Sequence, residues 1–374
     1  MPAKTERAWG LDTLRSLAIL SVVAYHLWAF HGSTLPTWMK PVVRTGWMGV
    51  DLFFVLSGYL IAAQLFRPYL SGGRPSLLGF YRNRLFRILP VYLVVLALYF
   101  LVPWWTEDPT LSPLWQYLTF TFNLFVDYAN YQGFSHVWSL CVEEHFYLFL
   151  PLIVLGLMRR PSARTAIAAI AAVVLAGIAI RGYFLFHLLR PLAERDGGFG
   201  MAYMERIYYP TYSRLDGLLA GVALAAIRSF RPVWWNWIAR RGHALLVLGL
   251  ALTGASIVLF EDHHPAFTGT SAASVLFGYP LLACGLALLT ASALSANGWL
   301  RRKIPGAGLG AALAYTLYLT HKAMMHLVDG WFPHLESASR LAWLAVYALC
   351  CVAVAGMLHL AVEKPFLKLR ERFR

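Results

Sequence analysis

Ten mostly apolar stretches succeed one another along this chain, each close to the length a helix needs to cross about 30 Å of hydrocarbon. They run approximately Leu11–Phe30, Trp47–Phe66, Ile88–Pro103, Val137–Leu157, Thr165–Phe186, Thr211–Ile227, Ala244–Phe260, Ser271–Ala293, Ala307–Leu327 and Leu341–Ala361. A chain that is 59% hydrophobic and 13% charged is not an ordinary soluble domain, in which about a quarter of residues are charged. The expectation is an all-α polytopic membrane protein with about ten transmembrane helices. The net charge of +14 sits in short loops between apolar runs, as membrane topology requires, so no nucleic-acid partner is expected.

The basic residues also orient the chain. The N-terminus, the segments after the second, fourth, sixth and eighth stretches, and the C-terminal tail hold 22 of the 32 Lys and Arg, and the opposite loops hold six. Both termini are therefore expected on the cytoplasmic side. Under that topology Leu114–Val126, too short to span, reads as a re-entrant or interfacial helix on the outer side. The first apolar run lacks a small-residue cleavage site and reads as a retained first helix. Residues 1–374 read as a single membrane-embedded domain with no appended soluble part. The four cysteines lie in apolar segments without disulfide or metal-knuckle spacing, and no metal is expected.

Ionisable groups inside a bilayer are costly and mark functional sites by default. The first stretch carries Arg15 and His26, which a rise of about 1.5 Å per residue separates by roughly 16 Å. The polar residues of the other stretches fall into two layers. His26, Asp51, Glu143, Arg214, Asp216 and His321 lie in the outer third. Arg15, with Arg82, Arg84 and Arg87 leading into the third stretch, makes a basic inner mouth. Arg84 and Arg87, three apart, share a helix face. Blander readings exist for each: Arg214 pairing with Asp216 near the interface, Asp51 as a helix-start residue close to water, the arginines as topology signals. Glu143 and Glu144 resist such a reading, because adjacent carboxyls on an apolar helix point in different directions and cannot both find water. A basic mouth suits a phosphate-bearing ligand, and an outer cluster with His and Glu suits proton transfer.

Six motifs in order carry a resemblance. They are Leu11-Asp12-Thr13-Leu14-Arg15 with His26 eleven residues on, the Gly49–Ile61 run containing Asp51 and Ser57, and the Phe80–Pro90 run containing Arg84 and Arg87. Next come His136-Val137-Trp138-Ser139-Leu140-Cys141-Val142-Glu143-Glu144, then Arg214-Leu215-Asp216-Gly217, and Tyr315-Thr316-Leu317-Tyr318-Leu319-Thr320-His321. In these the chain resembles the acyltransferase-3 family of integral membrane O-acyltransferases. Cys141 and His145 stand where that family usually has Ser and Gln.

The resemblance implies an acyl-CoA donor, acetyl-CoA expected, bound from the cytoplasm. The acceptor would be a carbohydrate, lipid-linked sugar or glycoside at the outer face of a bacterial cytoplasmic membrane. It places donor binding on Arg15, Arg84 and Arg87, and catalysis on His26 and Glu143. His26 would be the general base and Glu143 the group that orients its imidazole. Arg214, Tyr318 or His321 would supply the oxyanion donor, and Asp51, Ser57, Trp138, Ser139 and Asp216 complete the candidate set. The rival from another class is a transporter or flippase of a lipid-linked sugar, whose path charged residues would also line. A membrane scaffold would tolerate loss of His26 and Glu143. Haem ligation finds no pair of histidines at helical spacing facing one plane.

Overall fold

The computed structural model describes residues 8–32, 36–193, 198–261 and 271–372. Among the described residues the chain is helical throughout and has no strand. Ten principal helices match the ten apolar stretches: α1 (Trp9–His31), α2 (Met48–Leu70), α3 (Leu77–Leu101), α4 (Trp138–Leu157), α5 (Ala163–Phe184), α6 (Asp216–Phe230), α7 (Gly242–Glu261), α8 (Tyr279–Leu294), α9 (Ala307–Trp331) and α10 (Arg340–Leu358). Four of the basic residues counted above, Lys4, Arg7, Arg195 and Arg374, lie outside the described residues.

Eight of the described helices are long and apolar enough to cross a membrane. The two that fall short of that description are α6 and α9. α6 has 15 residues, because the chain before it, Thr211–Ser213, turns as a 3₁₀ helix and only enters the α-helix at Asp216. α9 has the length but buries Thr316, Thr320, His321 and Lys322, so its polar side chains meet protein and lower its hydropathy. Leu114–Val126 is not one short helix. It is a five-residue helix, Leu114–Leu118, followed by a 3₁₀ turn at Phe122–Leu124, and Tyr117 and Phe122 are driven into the core.

α2 is the central element, buried along most of its length. It packs against α6 at contact distance because both carry glycine there. A Cβ added at Gly58 would lie 2.0 Å from the Leu218 carbonyl oxygen, and one at Gly221 would lie 2.2 Å from that of Val55. Close approach through small residues is how helices gain packing energy where lipid offers no hydrophobic contrast. α1 lies between α2 and α9. Gly49 meets the Ala18 carbonyl, and the Ser16 hydroxyl donates to the Ala307 carbonyl at 2.6 Å. α5 is peripheral, with only Gly177 and Arg181 of its residues buried.

Arg181 explains why α5 is held at all. Its guanidinium, wholly buried, donates to Asp216 at 2.7 Å and to the Ser213 carbonyl at 2.7 Å. Arg214 faces the other way, donating to both carboxylate oxygens of Asp51 at 2.9 and 3.0 Å. The rings of Tyr279, Tyr208 and Trp138 surround it at 4.1, 4.6 and 5.2 Å, the distances of cation–π contact. Arg214 and Asp216 therefore do not pair with each other, and Asp51 is buried against a guanidinium rather than placed near water. Two residues apart, Arg214 and Asp216 point in different directions and each takes a partner from another helix.

Removing one member of a buried pair strands the other, at a cost of about 3–5 kcal/mol. Asp216→Leu should thus lower the thermal midpoint of the solubilised protein sharply. Adding Arg181→Met to it should recover much of that loss, because the stranded cation is gone. Thermal unfolding of the single and double variants checks this, and equal destabilisation in both would show that the pair is not the staple.

Candidate active site

A cavity of about 160 Å³ opens between α1, α2, α3, α4 and α9, and its walls include Arg15, Arg84, Arg87, Ser57, Glu143, Ser139 and Tyr318. Seven candidates from distant parts of the sequence thus share one space. Its arginines are not equivalent. Arg87 is neutralised by the buried Glu363, which also accepts from His359 at 2.8 Å. Arg84 has a neutral partner, donating to the Gln64 side chain at 3.2 Å, while its Nε is buried without a partner. Arg15, half-buried, makes no hydrogen bond or salt bridge among the described residues. A guanidinium beside an open cavity that no carboxylate hydrogen-bonds can take up an anion.

Glu143 stands further along the same wall. One of its oxygens accepts from the Ser57 hydroxyl at 2.8 Å and the other from the Tyr147 hydroxyl at 2.6 Å. This corrects the expected role, since Glu143 does not hydrogen-bond His26 and so does not orient that imidazole. Its neighbour Glu144 points elsewhere and buries an oxygen without a partner. Cys141 is fully buried packing, and His145 bonds the Thr211 hydroxyl at 2.7 Å.

At the end of the cavity remote from the arginines, the Tyr318 hydroxyl is 2.5 Å from Ser139 Oγ and donates to the His136 carbonyl at 2.5 Å. Beyond this pair lies a cluster of three histidines. His26 Nδ1 is 3.1 Å from His321 Nε2, and the His136 ring lies 5.1 Å from that of His321 and 6.4 Å from that of His26. His321 and His136 are buried, whereas His26 is half-buried and keeps some surface. With Tyr318 committed to Ser139 and the His136 carbonyl, His321 to His26, and Arg214 to Asp51, each oxyanion candidate has a partner, and only Tyr318 both lines the cavity and borders the histidines. Asp51, Trp138, Arg214 and Asp216 form the separate ion-pair group described above.

A buried ion pair caps the cluster. The Lys322 ammonium lies 2.8 Å from Glu107 and 3.2 Å from Ser135 Oγ, and Tyr99 donates to Glu107 at 2.8 Å. Phe134, the residue next to Ser135, adopts a left-handed φ of 53°, which is costly for an aromatic residue. Its ring is stacked 4.1 Å from Tyr99 and its amide donates to Glu107. The strained turn is thereby held, and it delivers His136 to the cluster. Burial works to raise the Glu107 carboxyl pKa, but the Lys322 ammonium and the Tyr99 hydroxyl outweigh it and the net shift is downward.

His136, Glu107, Lys322, Arg181 and Glu363 were not among the expected site residues. Lys322 and Arg181 carried a signal, as lone charges inside apolar stretches. Glu107 and Glu363, in a loop and a tail, carried none. Elsewhere His31 lies between Asp329 and Glu336, with one ring nitrogen 3.3 Å from the first and the other 3.1 Å from the second. Ligand atoms of these three side chains lie within 4.8 Å of one another.

The fold and site define an integral membrane protein with a basic cavity whose Tyr318 wall borders a histidine cluster. The family model described as an acyltransferase domain matches residues 9–362, and the chain belongs to the acyltransferase-3 family. It is 31% identical over 231 residues to the O-acetyltransferase OatA of Staphylococcus aureus strain NCTC 8325, a match covering 58% of this chain and 34% of the relative. A putative O-acetyltransferase of S. aureus strain COL is 29% identical over 240 residues with the same coverage. The chain thus spans about a third of the length of these curated relatives. No solved structure matches it.

A carboxylate with a lowered pKa contributes stability that is present above its ordinary value of 4.5 and is lost as pH falls through the folded-state value. Glu107→Gln should therefore destabilise the protein at neutral pH, by about 3–5 kcal/mol for a stranded Lys322. The difference between variant and wild type should shrink in acid. Thermal midpoints measured from pH 7 down to pH 3 test this, and a difference independent of pH would contradict it.

Proposed function

We propose that this protein is a membrane O-acetyltransferase that takes an acetyl group from cytoplasmic acetyl-CoA and places it on a hydroxyl of a carbohydrate or glycoside at the outer face of a bacterial cytoplasmic membrane. The observation that carries the reading is the unpartnered Arg15, facing the same cavity as Arg84 and leading toward His26. The names of the relatives support acetyl as the group transferred, and the excess of basic residues near the arginine end supports its placement on the cytoplasmic side.

In this reading the nucleotide phosphates of the donor dock on Arg15 and Arg84, with Arg87 tempered by Glu363. The pantetheine arm runs along the cavity, where Glu143 can accept from its amide N–H groups. The roughly 16 Å from Arg15 to His26 is within reach of such an extended arm. With the thioester beside the histidines, the acceptor oxygen attacks the carbonyl carbon while His26 takes the hydroxyl proton. The new C–O bond forms, the C–S bond breaks, and the proton passes from His26 to the departing sulfur. The Tyr318 hydroxyl borders cavity and cluster, and its one hydrogen, given to the His136 carbonyl, would have to turn from that carbonyl to serve the developing oxyanion.

Steady-state kinetics of the protein in nanodiscs, with radiolabelled acetyl-CoA and a panel of glycoside acceptors, test this. His26→Gln should lower kcat by about 10²–10⁴-fold, the span of general-base catalysis, with donor binding preserved. Arg15→Ala with Arg84→Ala should instead raise the KM for acetyl-CoA, and more so at high salt. Normal kcat in His26→Gln, or an unchanged KM in the arginine variant, would overturn the assignment.

A further inference from the structure

His26 has two ring nitrogens, and a base needs one of them bare. The surrounding acceptors decide which. His321 Nδ1 lies 2.8 Å from the Tyr318 carbonyl oxygen and 3.2 Å from that of Leu317. Carbonyl oxygens only accept, so His321 Nδ1 must carry hydrogen. In neutral His321 the other nitrogen, Nε2, is then a lone pair. That lone pair faces His26 Nδ1 at 3.1 Å, and the same His26 nitrogen faces the Val22 carbonyl oxygen at 3.0 Å. Two acceptors converge on His26 Nδ1, so it too must carry hydrogen.

The alternative is a cationic His321 donating from Nε2 to a bare His26 Nδ1. It would place a second buried cation beside Lys322, whose ammonium already takes Glu107, and would set the His26 Nδ1 lone pair against the Val22 oxygen. Both are unfavourable. His26 Nε2 has no hydrogen-bond partner among the described residues, and the residue as a whole is only partly buried.

We propose that His321 is the positioning residue of the reaction: its Nε2 accepts from His26 Nδ1–H, holds His26 in the Nδ1-protonated tautomer, and leaves His26 Nε2 as the base. The inference rests on the acyl-transfer reading for its consequence, though not for its geometry. It gives His321 the orienting place that Glu143 does not fill. As His26 Nε2 takes the hydroxyl proton, the Nδ1–H bond to His321 becomes charge-assisted, and the carbonyls of Val22, Leu317 and Tyr318 lie around the positive pair. When the proton leaves for the sulfur, both rings return to their starting tautomers, so the cycle balances without a further donor or acceptor.

The test uses the full chain in nanodiscs with ¹⁵N-labelled histidine. The side-chain ¹⁵N spectrum should show His26 protonated at Nδ1 in the wild type. In His321→Leu, which removes one of the two acceptors and leaves only the Val22 carbonyl, the share of His26 protonated at Nε2 should rise, with kcat down by roughly 10²-fold or more and KM for acetyl-CoA unchanged. His321→Gln, whose amide oxygen can accept at the place of Nε2, should restore the tautomer and bring kcat to within about tenfold of wild type. A wild-type His26 protonated at Nε2, or a His321→Leu variant with unchanged tautomer and kcat, would overturn the proposal. So would a folded His321→Gln variant as impaired as His321→Leu. The spectra do not depend on turnover, so a protein that transfers no acyl group would sink the functional reading and leave the positioning to be judged by the tautomer alone.

Discussion

An ion sealed among apolar helices must be met by an opposite charge or by hydrogen bonds, and most of this architecture is the working-out of that requirement. Arg181 with Asp216, Arg214 with Asp51, Lys322 with Glu107 and Arg87 with Glu363 each tie a helix to another element. Through them α5, α6 and α2, the loop after α3 and the end of the chain are drawn into one bundle. Once these debts are met, what is left over becomes informative. Among the described residues, Arg15 beside the cavity and Nε2 of His26 make no hydrogen bond to protein, and the proposed reading gives the first to the donor and the second to the acceptor hydroxyl.

The separation of paired from unpaired groups also orders the histidine cluster. Phe134 is forced into a left-handed turn, Glu107 and Tyr99 secure it, and His136 and Ser135 follow from it into the cluster. α9 supplies Tyr318, His321 and Lys322 on consecutive turns, and its own carbonyls set the protonation of His321. A helix polar enough to do this is poor at facing lipid, which is why α9 sits among α1, α3 and α10.

Much of this could be read from the chain alone. Ten apolar stretches became ten helices, and Arg15 and His26 stood out as ionisable side chains near the two ends of an apolar run. The pairings could not be read. Arg214 and Asp216 are close in sequence and part company in space, and Asp51 lies 163 positions from the arginine it meets. Glu143 was expected at His26 because both belong to the outer third by depth. Depth says nothing about azimuth, and α4 turns Glu143 toward Ser57 and Tyr147. α6 shows the same limit: its stretch is long enough on paper, but the 3₁₀ turn at Thr211–Ser213 shortens the helix.

In the proposed reading one cavity carries an acetyl group from the arginine end toward the histidines, across the membrane. The most direct measurement offers acetyl-labelled acetyl-CoA to the outside of inverted membrane vesicles holding the protein and follows the label into glycan and lipid fractions in the lumen. Label should accumulate in the lumen in step with release of free CoA outside. Label confined to the side where the donor was added, or CoA released without any acetylated product inside, would contradict the account.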